Sequence, residues 1–416
     1  MITNVKEYNG YTYINGGVCA AKGFQANGLN CGLNPNREKN DLCLVLSDVT
    51  CSAAAVYTTN KVKGAPITVT RDNLLKTGNH ARAVIANSKN ANTCNADGEE
   101  KARMMCRLAA EKLNISPEEV IVASTGVIGQ ILPIEPIASN IGALVSGLGY
   151  DKNEAAATAI MTTDTVKKEV AVEFEIGGTV CRIGAMAKGS GMIHPNMATT
   201  LNFVTTDAAI ASELLQKALS EITKITYNCL SIDGDTSTND MVCILANGLA
   251  KNEPIVSENS DYEVFRQGLY IVMSELTRML AKDGEGATKL LECSCTEAPD
   301  TDTAIIVAKS VIRSPLLKCA MFGEDANWGR ILCAVGYAEA EFDISRVDVD
   351  LASENGTIAV CRSGAGVEFS EEKAAEILSA DEIFINISLN SGNASAKAWG
   401  CDLTYDYVKI NGDYRS

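Results

Sequence analysis

Residues 168–187 read KEVAVEFEIGGTVCRIGAMA, and this stretch decides the fold class. Apolar side chains alternate with polar ones on both sides of a glycine pair: Val170, Val172, Phe174 and Ile176 before it, and Val180 after it. A period of two is typical of β-strands, and two consecutive glycines are typical of a tight turn between antiparallel partners. The stretch therefore predicts two antiparallel strands joined by a turn at Gly177-Gly178.

Outward from this hairpin, short β-branched segments alternate with amphipathic segments, which is typical of mixed α/β architecture. The other predicted strands are LCLVLSD (42–48), AVIANS (83–88), VIVAST (120–125), LNFVTTD (201–207), IFINISLN (383–390) and LTYDYVKI (403–410). The predicted helices are 98–113, 211–225 and 262–281. The sequence contains no repeat and no Pro/Ser-rich linker, so composition places no domain boundary.

The amino-acid composition and net charge limit the kinds of molecule that the chain is expected to bind. The chain has 416 residues, of which 46% are hydrophobic and 21% charged, so it is expected to fold along its length into two or three domains. Lys and Arg number 36 and Asp and Glu 52, a net charge of 36 − 52 = −16, which disfavours nucleic acid and anionic lipid as partners. The longest charge-free apolar stretch, 120–134, is too short and too interrupted for a membrane span. A small molecule or a protein is the expected partner.

The numbers and spacing of the histidines and cysteines limit the kinds of catalytic and metal-binding site that the chain can form. The chain has only two histidines, His80 and His194, so a site of three histidines is excluded and acid–base work falls on carboxylates, lysines or an amine. The fifteen cysteines are scattered singly without a CxxC pair. Because the N-terminus is polar and unlike a signal peptide, we expect reduced, mostly buried cysteines in a cytoplasmic protein.

A candidate nucleophile lies in MATTLNF (197–203), where Ala198 precedes Thr199 between a glycine-rich loop and a strand. A threonine hydroxyl is a poor nucleophile unless a base accompanies it. Cleavage before Thr199 would free its α-amine, whose pKa near 8 suits that role. On local sequence alone, the favoured interpretation is that Thr199 and Thr200 are β-branched residues of a strand.

Three further motifs carry polar residues in glycine-rich turns. ASTGVIG (123–129) follows a strand and can direct a threonine hydroxyl and a backbone N–H to one point, as an oxyanion hole requires, or it can be a plain connection. Lys188 precedes Gly-Ser-Gly and suits an anionic carboxylate or the surface. Glu285, between two glycines at a predicted helix end, suits a substrate amine or solvent.

The motif SIDGDTSTND (231–240) supports a competing interpretation. Asp233 and Asp235 after two apolar residues are similar to the paired aspartates of magnesium-dependent phosphotransferases. The alternative is a polar turn in which these side chains accept hydrogen bonds from backbone N–H groups. Local sequence leaves both interpretations open.

Together these motifs resemble the ornithine acetyltransferase family, the glutamate N-acetyltransferases of cyclic arginine synthesis. The resemblance covers nearly the whole chain. The strings that carry it are DLCLVLSD, AAAVYTTN, ASTGVIG, AIMTTDTVKK, AKGSGMIHPNMATT, SIDGDTSTND, AKDGEGATK, ANWGRILCAVGYA and AWGCDLTYDYVKINGDYRS. One departure is NSKNANTCNADG (87–98), in which Lys89 stands where the family often has glycine.

The resemblance implies a fold, a processing event and a set of site residues. The fold is a layered α/β sandwich of the self-processing aminopeptidase and ornithine acetyltransferase type, with a smaller α/β domain. A precursor cut between Ala198 and Thr199 gives an α chain of 1–198 and a β chain of 199–416, associated as an α2β2 heterotetramer. Thr199 is the implied nucleophile, and Thr125 and Gly126 form the oxyanion hole. The implied substrate-contacting residues are Thr162, Lys188, Thr199, Glu285, Asn411 and Ser416.

The implied reaction moves an acetyl group from N-acetyl-L-ornithine to L-glutamate through an acetyl-threonine, without metal or cofactor. Some family members also accept acetyl-CoA as donor. Three alternatives remain at this point: an amidase or aminopeptidase that uses the same threonine with water as acceptor, a phosphotransferase built on Asp233 and Asp235, and a non-enzymatic binding role.

Overall fold

The computed structural model describes residues 8–194 and 200–412 of the chain. Its strands are β1 Tyr11–Tyr13, β2 Phe24–Leu29, β3 Leu42–Tyr57, β4 His80–Asn87, β5 Val120–Ser124, β6 Lys168–Ile176, β7 Thr179–Lys188, β8 Leu201–Thr206, β9 Leu230–Ser231, β10 Met241–Ala246, β11 Leu290–Ala298, β12 Asp348–Ser353, β13 Gly356–Arg362, β14 Ala365–Gly366, β15 Glu382–Ser388 and β16 Ala394–Cys401. Its helices are α1 Ala65–Lys76, α2 Gly98–Leu113, α3 Glu135–Ser146, α4 Asn153–Ala159, α5 Ser212–Ile225, α6 Ser260–Lys282, α7 Thr301–Ile312, α8 Pro315–Phe322, α9 Trp328–Gly336, α10 Glu371–Leu378 and α11 Tyr405–Gly412. The predicted mixed α/β class is confirmed.

The hairpin that decides the fold class is β6 and β7. The two strands pair antiparallel from Lys168 opposite Ala187 to Ile176 opposite Thr179. Gly177 and Gly178 close the turn with φ of 56° and 78°, a left-handed conformation that glycine adopts without steric cost. The predicted antiparallel strands and their glycine turn are confirmed.

The chain divides into two compact units. The first consists of the described parts of Met1–Gly189, Asn196–Thr223 and Thr236–Leu276. Its nine-stranded sheet has the order β1-β6-β7-β8-β10-β3-β4-β5, with β2 pairing onto β3. The sheet is mixed, because β8 pairs parallel with β10 and β4 pairs parallel with β5. Apolar residues on the two faces of its strands form two buried clusters.

The second unit consists of the described parts of Ser190–Pro195, Lys224–Asp235 and Thr277–Ser416. Its seven-stranded sheet has the order β14-β13-β12-β15-β11-β16-β9. Arg278 donates to two buried carboxylates of this sheet, Glu292 at 2.6 Å and Glu382 at 3.0 Å, and Trp399 donates to Glu292 at 2.9 Å. Since each buried carboxylate has a cationic partner, the charges are tolerated inside this unit.

One predicted element is wrong. The segment 403–410 was predicted as a strand from its aromatic and β-branched residues, but Tyr405–Gly412 forms helix α11. Thr404 accepts a hydrogen bond from the Asp406 amide at 3.2 Å and so supports the first turn. Tyr405 and Val408 are 85% and 67% exposed, so these side chains are not buried as they would be on the inner face of a sheet. Because β-propensity largely reflects such burial, the residue types alone did not produce a strand here.

The remaining predicted elements lie close to their predicted bounds. Helix α2 spans the predicted 98–113, whereas β3 continues past the predicted residue 48 to Tyr57. Most of the fifteen cysteines are buried, as expected. Among the described residues, no helix combines the length and hydrophobicity needed to cross a membrane.

Candidate active site

The turn after β5 holds the predicted oxyanion residues Thr125 and Gly126. The amide of Thr125 donates to the Asn87 carbonyl at 3.0 Å, and the amide of Val127 donates to the Lys89 carbonyl at 3.1 Å. The hydroxyl of Ser124 donates to the side chain of Asn87 at 2.6 Å. Residues 124–127 are therefore fixed against the end of β4 and the loop that follows it.

Gly126 is required by this packing. Its φ is 133°, and a Cβ atom at this position would overlap the carbonyl carbon of Lys89. Lys89 itself has φ of 73°, a left-handed conformation that is uncommon for a residue other than glycine. The position at which the sequence departs from the resembled family is thus one where the backbone favours glycine.

Lys188 ends strand β7 close to the same turn. Its Nζ atom lies 3.5 Å from Oγ1 of Thr125, and the residue is only 8% exposed. A buried ammonium group beside a threonine hydroxyl supplies positive charge where a carboxylate or an oxyanion can be held. The structure brings Thr125 and Lys188 together, as a shared site requires.

Asp164 links Thr162 to the end of β7. Its carboxylate accepts hydrogen bonds from the Thr162 amide at 3.0 Å, the Gly189 amide at 2.7 Å and the Lys168 ammonium at 2.7 Å. Burial raises the pKa of Asp164, but Lys188, Lys168 and the Thr162 amide lower it, and the balance places the pKa at about 2. Asp164 is therefore ionised at neutral pH.

Asp240 is a second carboxyl group in the same unit. It is 3% exposed, and its Oδ2 atom has no hydrogen-bond partner among residues 8–194 and 200–412. Burial raises the pKa of Asp240 well above its usual value, although Ser237 and Lys188 oppose the shift. In contrast to Asp164, burial shifts the pKa of this carboxyl group in the direction of its neutral form.

The second unit holds Glu285 and Asn411. The side-chain amide of Asn411 donates to Oε2 of Glu285 at 2.7 Å, and the Glu285 amide donates to the Ser190 carbonyl at 2.8 Å. Gly191 lies against the carboxylate, and a Cβ atom there would overlap it. Glu285 follows the end of α6 as predicted, and it is a half-buried negative charge suited to an ammonium group.

Asp233 and Asp235 lie in a polar turn. Oδ1 of Asp233 accepts a hydrogen bond from the Asp235 amide at 3.1 Å, which is the turn arrangement considered from the sequence. Across residues 8–194 and 200–412, no group of three or more His, Cys, Asp or Glu side chains is arranged to hold a metal ion.

Three predicted site residues, Ala198, Thr199 and Ser416, lie outside the described residues. Two neighbours of the site were not predicted. Asp164 lies in the string AIMTTDTVKK, and Asn239 lies in the string SIDGDTSTND. The sequence pattern that could have indicated Asp164 is a single acidic residue among threonines, two residues after Thr162.

The chain is similar to known proteins over nearly its whole length. The model of the ArgJ family matches residues 25–416. The arginine biosynthesis bifunctional protein ArgJ 1 of Clostridium acetobutylicum is 51% identical over 94% of this chain and 96% of that relative. The bifunctional protein ArgJ of Symbiobacterium thermophilum is 50% identical over 97% of this chain and 100% of that relative.

Among solved structures, the arginine biosynthesis bifunctional protein ArgJ of Bacillus halodurans is 46% identical. The match covers 50% of this chain and 97% of that chain, with a TM-score of 0.48. The family match and the curated relatives extend over nearly the whole sequence and agree with each other. The chain belongs to the ArgJ family and is an acyltransferase of arginine biosynthesis.

Proposed function

We propose that the chain cuts itself between Ala198 and Thr199 and then uses Thr199 as an N-terminal nucleophile. The observation that carries this proposal is the ArgJ family match, which spans both sides of the bond. Further support comes from the fixed Thr125–Gly126 turn and from Lys188, 3.5 Å from the Thr125 hydroxyl. The two products are an α chain of 1–198 and a β chain of 199–416.

The mature threonine carries out a double displacement. Its hydroxyl attacks the acetyl carbonyl of N-acetyl-L-ornithine while the α-amine takes the hydroxyl proton, and ornithine leaves after receiving that proton. The amine of L-glutamate then attacks the acetyl carbon of the acetyl-threonine, and the C–O bond to the threonine breaks. The α-amine passes the proton from the glutamate amine to the threonine oxygen, which gives N-acetyl-L-glutamate and regenerates the hydroxyl. Each tetrahedral intermediate carries a negative oxygen, which the Thr125 hydroxyl and the Gly126 amide stabilise.

The other predicted residues bind the amino-acid substrates. Lys188 attracts a carboxylate and Glu285 attracts an ammonium group, while Thr162, Asn411 and Ser416 provide polar contacts. No metal or cofactor is needed, and acetyl-CoA is an alternative donor. We further propose an α2β2 heterotetramer in the cytoplasm, where these small metabolites are found.

The deciding experiment is the denatured mass of freshly purified, untagged protein beside its Thr199→Ala variant. We expect the wild type to give two fragments divided between Ala198 and Thr199, and the variant to remain one inactive 44.1 kDa chain. A wild type that stays uncut, or an active variant, would contradict the proposal. Ornithine release that requires glutamate identifies a transferase, whereas equal release in water alone would identify an amidase.

A further inference from the structure

Residues 192–194 lie directly upstream of the proposed cleavage region and are bonded to residues 231–233. The Ile232 amide donates to the Ile193 carbonyl at 2.7 Å, and His194 Nδ1 lies 3.0 Å from the Ser231 hydroxyl. Ile193 and Ile232 are each 1% exposed. This short stretch of backbone is therefore anchored in the core of the second unit.

Asp233 completes the anchor. Its Oδ2 atom accepts a hydrogen bond from the Met192 amide at 2.6 Å, and its Oδ1 atom accepts one from the Ile193 amide at 2.9 Å. The Asp235 amide donates to Oδ1 at 3.1 Å, and the Tyr407 hydroxyl lies 3.3 Å from Oδ2. One carboxylate thus holds two consecutive backbone amides, its own turn and helix α11.

We propose that Asp233 is a positioning residue for self-cleavage, because it fixes the backbone at Met192 and Ile193 ahead of the Ala198–Thr199 bond. This inference rests on the self-cleavage proposed above. In self-cleavage the Thr199 hydroxyl attacks the Ala198 carbonyl carbon, the C–N bond between the two residues breaks, and the freed α-amine takes up the hydroxyl proton. Water then hydrolyses the resulting ester, which separates the two chains. The first attack depends on holding the reacting atoms in one geometry. A chain that is loose upstream of the bond would reach this geometry less often.

The carboxylate is chemically suited to this role. It has acceptor capacity on both oxygens, and charge-assisted bonds from backbone amides are stronger than neutral ones. Asparagine has the same shape but only one acceptor oxygen, so its NH2 group would face one of the two backbone amides. Asp233→Asn therefore removes one amide bond and weakens the other without changing side-chain volume.

The experiment follows the denatured mass of wild type, Asp233→Asn, Asp235→Asn and Tyr407→Phe after synthesis. We expect Asp233→Asn to cleave at least about tenfold more slowly than the wild type. Asp235 is exposed and lies two residues from Asp233, and Asp235→Asn removes the same negative charge as Asp233→Asn. We therefore expect Asp235→Asn to cleave at the wild-type rate. Tyr407→Phe removes only the link to α11 and should also cleave normally.

The outcomes separate this inference from the proposed function. A wild type that never cleaves overturns both. Normal cleavage of Asp233→Asn, or equal slowing in Asp235→Asn, overturns the positioning role alone. If Asp233 only stabilised the fold, Asp233→Asn would lower the midpoint of thermal unfolding together with the cleavage rate. We expect instead that Asp233→Asn slows cleavage while its midpoint of thermal unfolding stays close to that of Asp235→Asn.

A second measurement does not depend on the folding of the Asp233 variant. Hydrogen–deuterium exchange of the uncut Thr199→Ala chain should show the Met192 and Ile193 amides exchanging at least about tenfold more slowly than in an unstructured peptide. Exchange at the unstructured rate would mean that the carboxylate does not hold this backbone, and the inference would fall.

Discussion

The side-chain amide of Asn239 donates a hydrogen bond of 2.9 Å to the carbonyl oxygen of Ser124, the residue before Thr125. The same nitrogen donates to the Ala91 carbonyl at 2.6 Å, while the amide oxygen accepts hydrogen bonds of 2.6 Å from the hydroxyls of Thr93 and Thr238. All four hydrogen-bonding positions of this buried amide are occupied. Asn239, which lies just before β10, thus connects the backbone at the start of the Thr125–Gly126 turn to the loop that follows β4.

Removing this amide should destabilise the protein and slow the reaction. Asn239→Ala leaves the buried carbonyls of Ser124 and Ala91 without these donors, so we expect the free energy of unfolding to fall by about 2–4 kcal/mol. The rate of acetyl transfer should fall as well, since the turn loses its support. Urea unfolding and kcat of the cleaved enzyme measure the two effects, and an unchanged kcat would show that Thr125 is held without Asn239.

Gly126 should not tolerate a side chain. In Gly126→Ala the new methyl group meets the Lys89 carbonyl carbon, so the turn must move, and we expect kcat/KM to fall by about 100-fold. Gly129 is a matched control, because it also has a positive φ, 83°, but a Cβ atom there meets nothing within 4 Å. If Gly129→Ala loses as much activity as Gly126→Ala, backbone strain rather than the overlap is responsible.

Asp164 should make stability depend on pH in the acid range. Its pKa of about 2 in the folded protein lies below the ordinary 3.8, so its stabilising contribution is present above pH 4 and is lost as the pH falls through 2. We expect Asp164→Asn to lower the free energy of unfolding by at least about 2 kcal/mol at pH 6, with the difference from wild type shrinking toward pH 2. Chemical denaturation over this range measures the difference, with Asp235→Asn as the exposed control. A difference that does not change with pH would contradict an ionised, buried Asp164.

Sequence patterns predicted the elements whose residues are both patterned and buried. The β6–β7 hairpin and helix α2 have periodic apolar residues that the structure buries, so pattern and packing agree. Helix α11 shows the opposite case. Its residues favour strands when considered alone, but Tyr405 and Val408 are exposed, and the Thr404 hydroxyl accepts a hydrogen bond in the first turn of a helix.

The site was predictable only in part, for a physical reason. Thr125, Lys188 and Glu285 stand beside glycines at element ends, and this local pattern is visible in one sequence. The roles of Asp164 and Asn239 depend on partners far along the chain, such as Gly189 for Asp164 and Ser124 for Asn239. Spacing does not show such long-range hydrogen bonds, because they form only when the sheet has brought its strand ends together.

Gly191 should control how Glu285 binds an amine. A methyl group in Gly191→Ala overlaps the carboxylate, and because this is the free end of a flexible side chain, Glu285 should rotate away from Asn411 while the fold remains intact. We expect KM for the amino-acid substrate that Glu285 binds to rise about tenfold, which corresponds to about 1.4 kcal/mol, with little change in thermal midpoint. Gly142→Ala, in helix α3 with open space around the added atom, is the control and should leave KM unchanged. If Gly191→Ala keeps the wild-type KM for both N-acetylornithine and glutamate, then the Glu285 carboxylate does not hold the substrate amine.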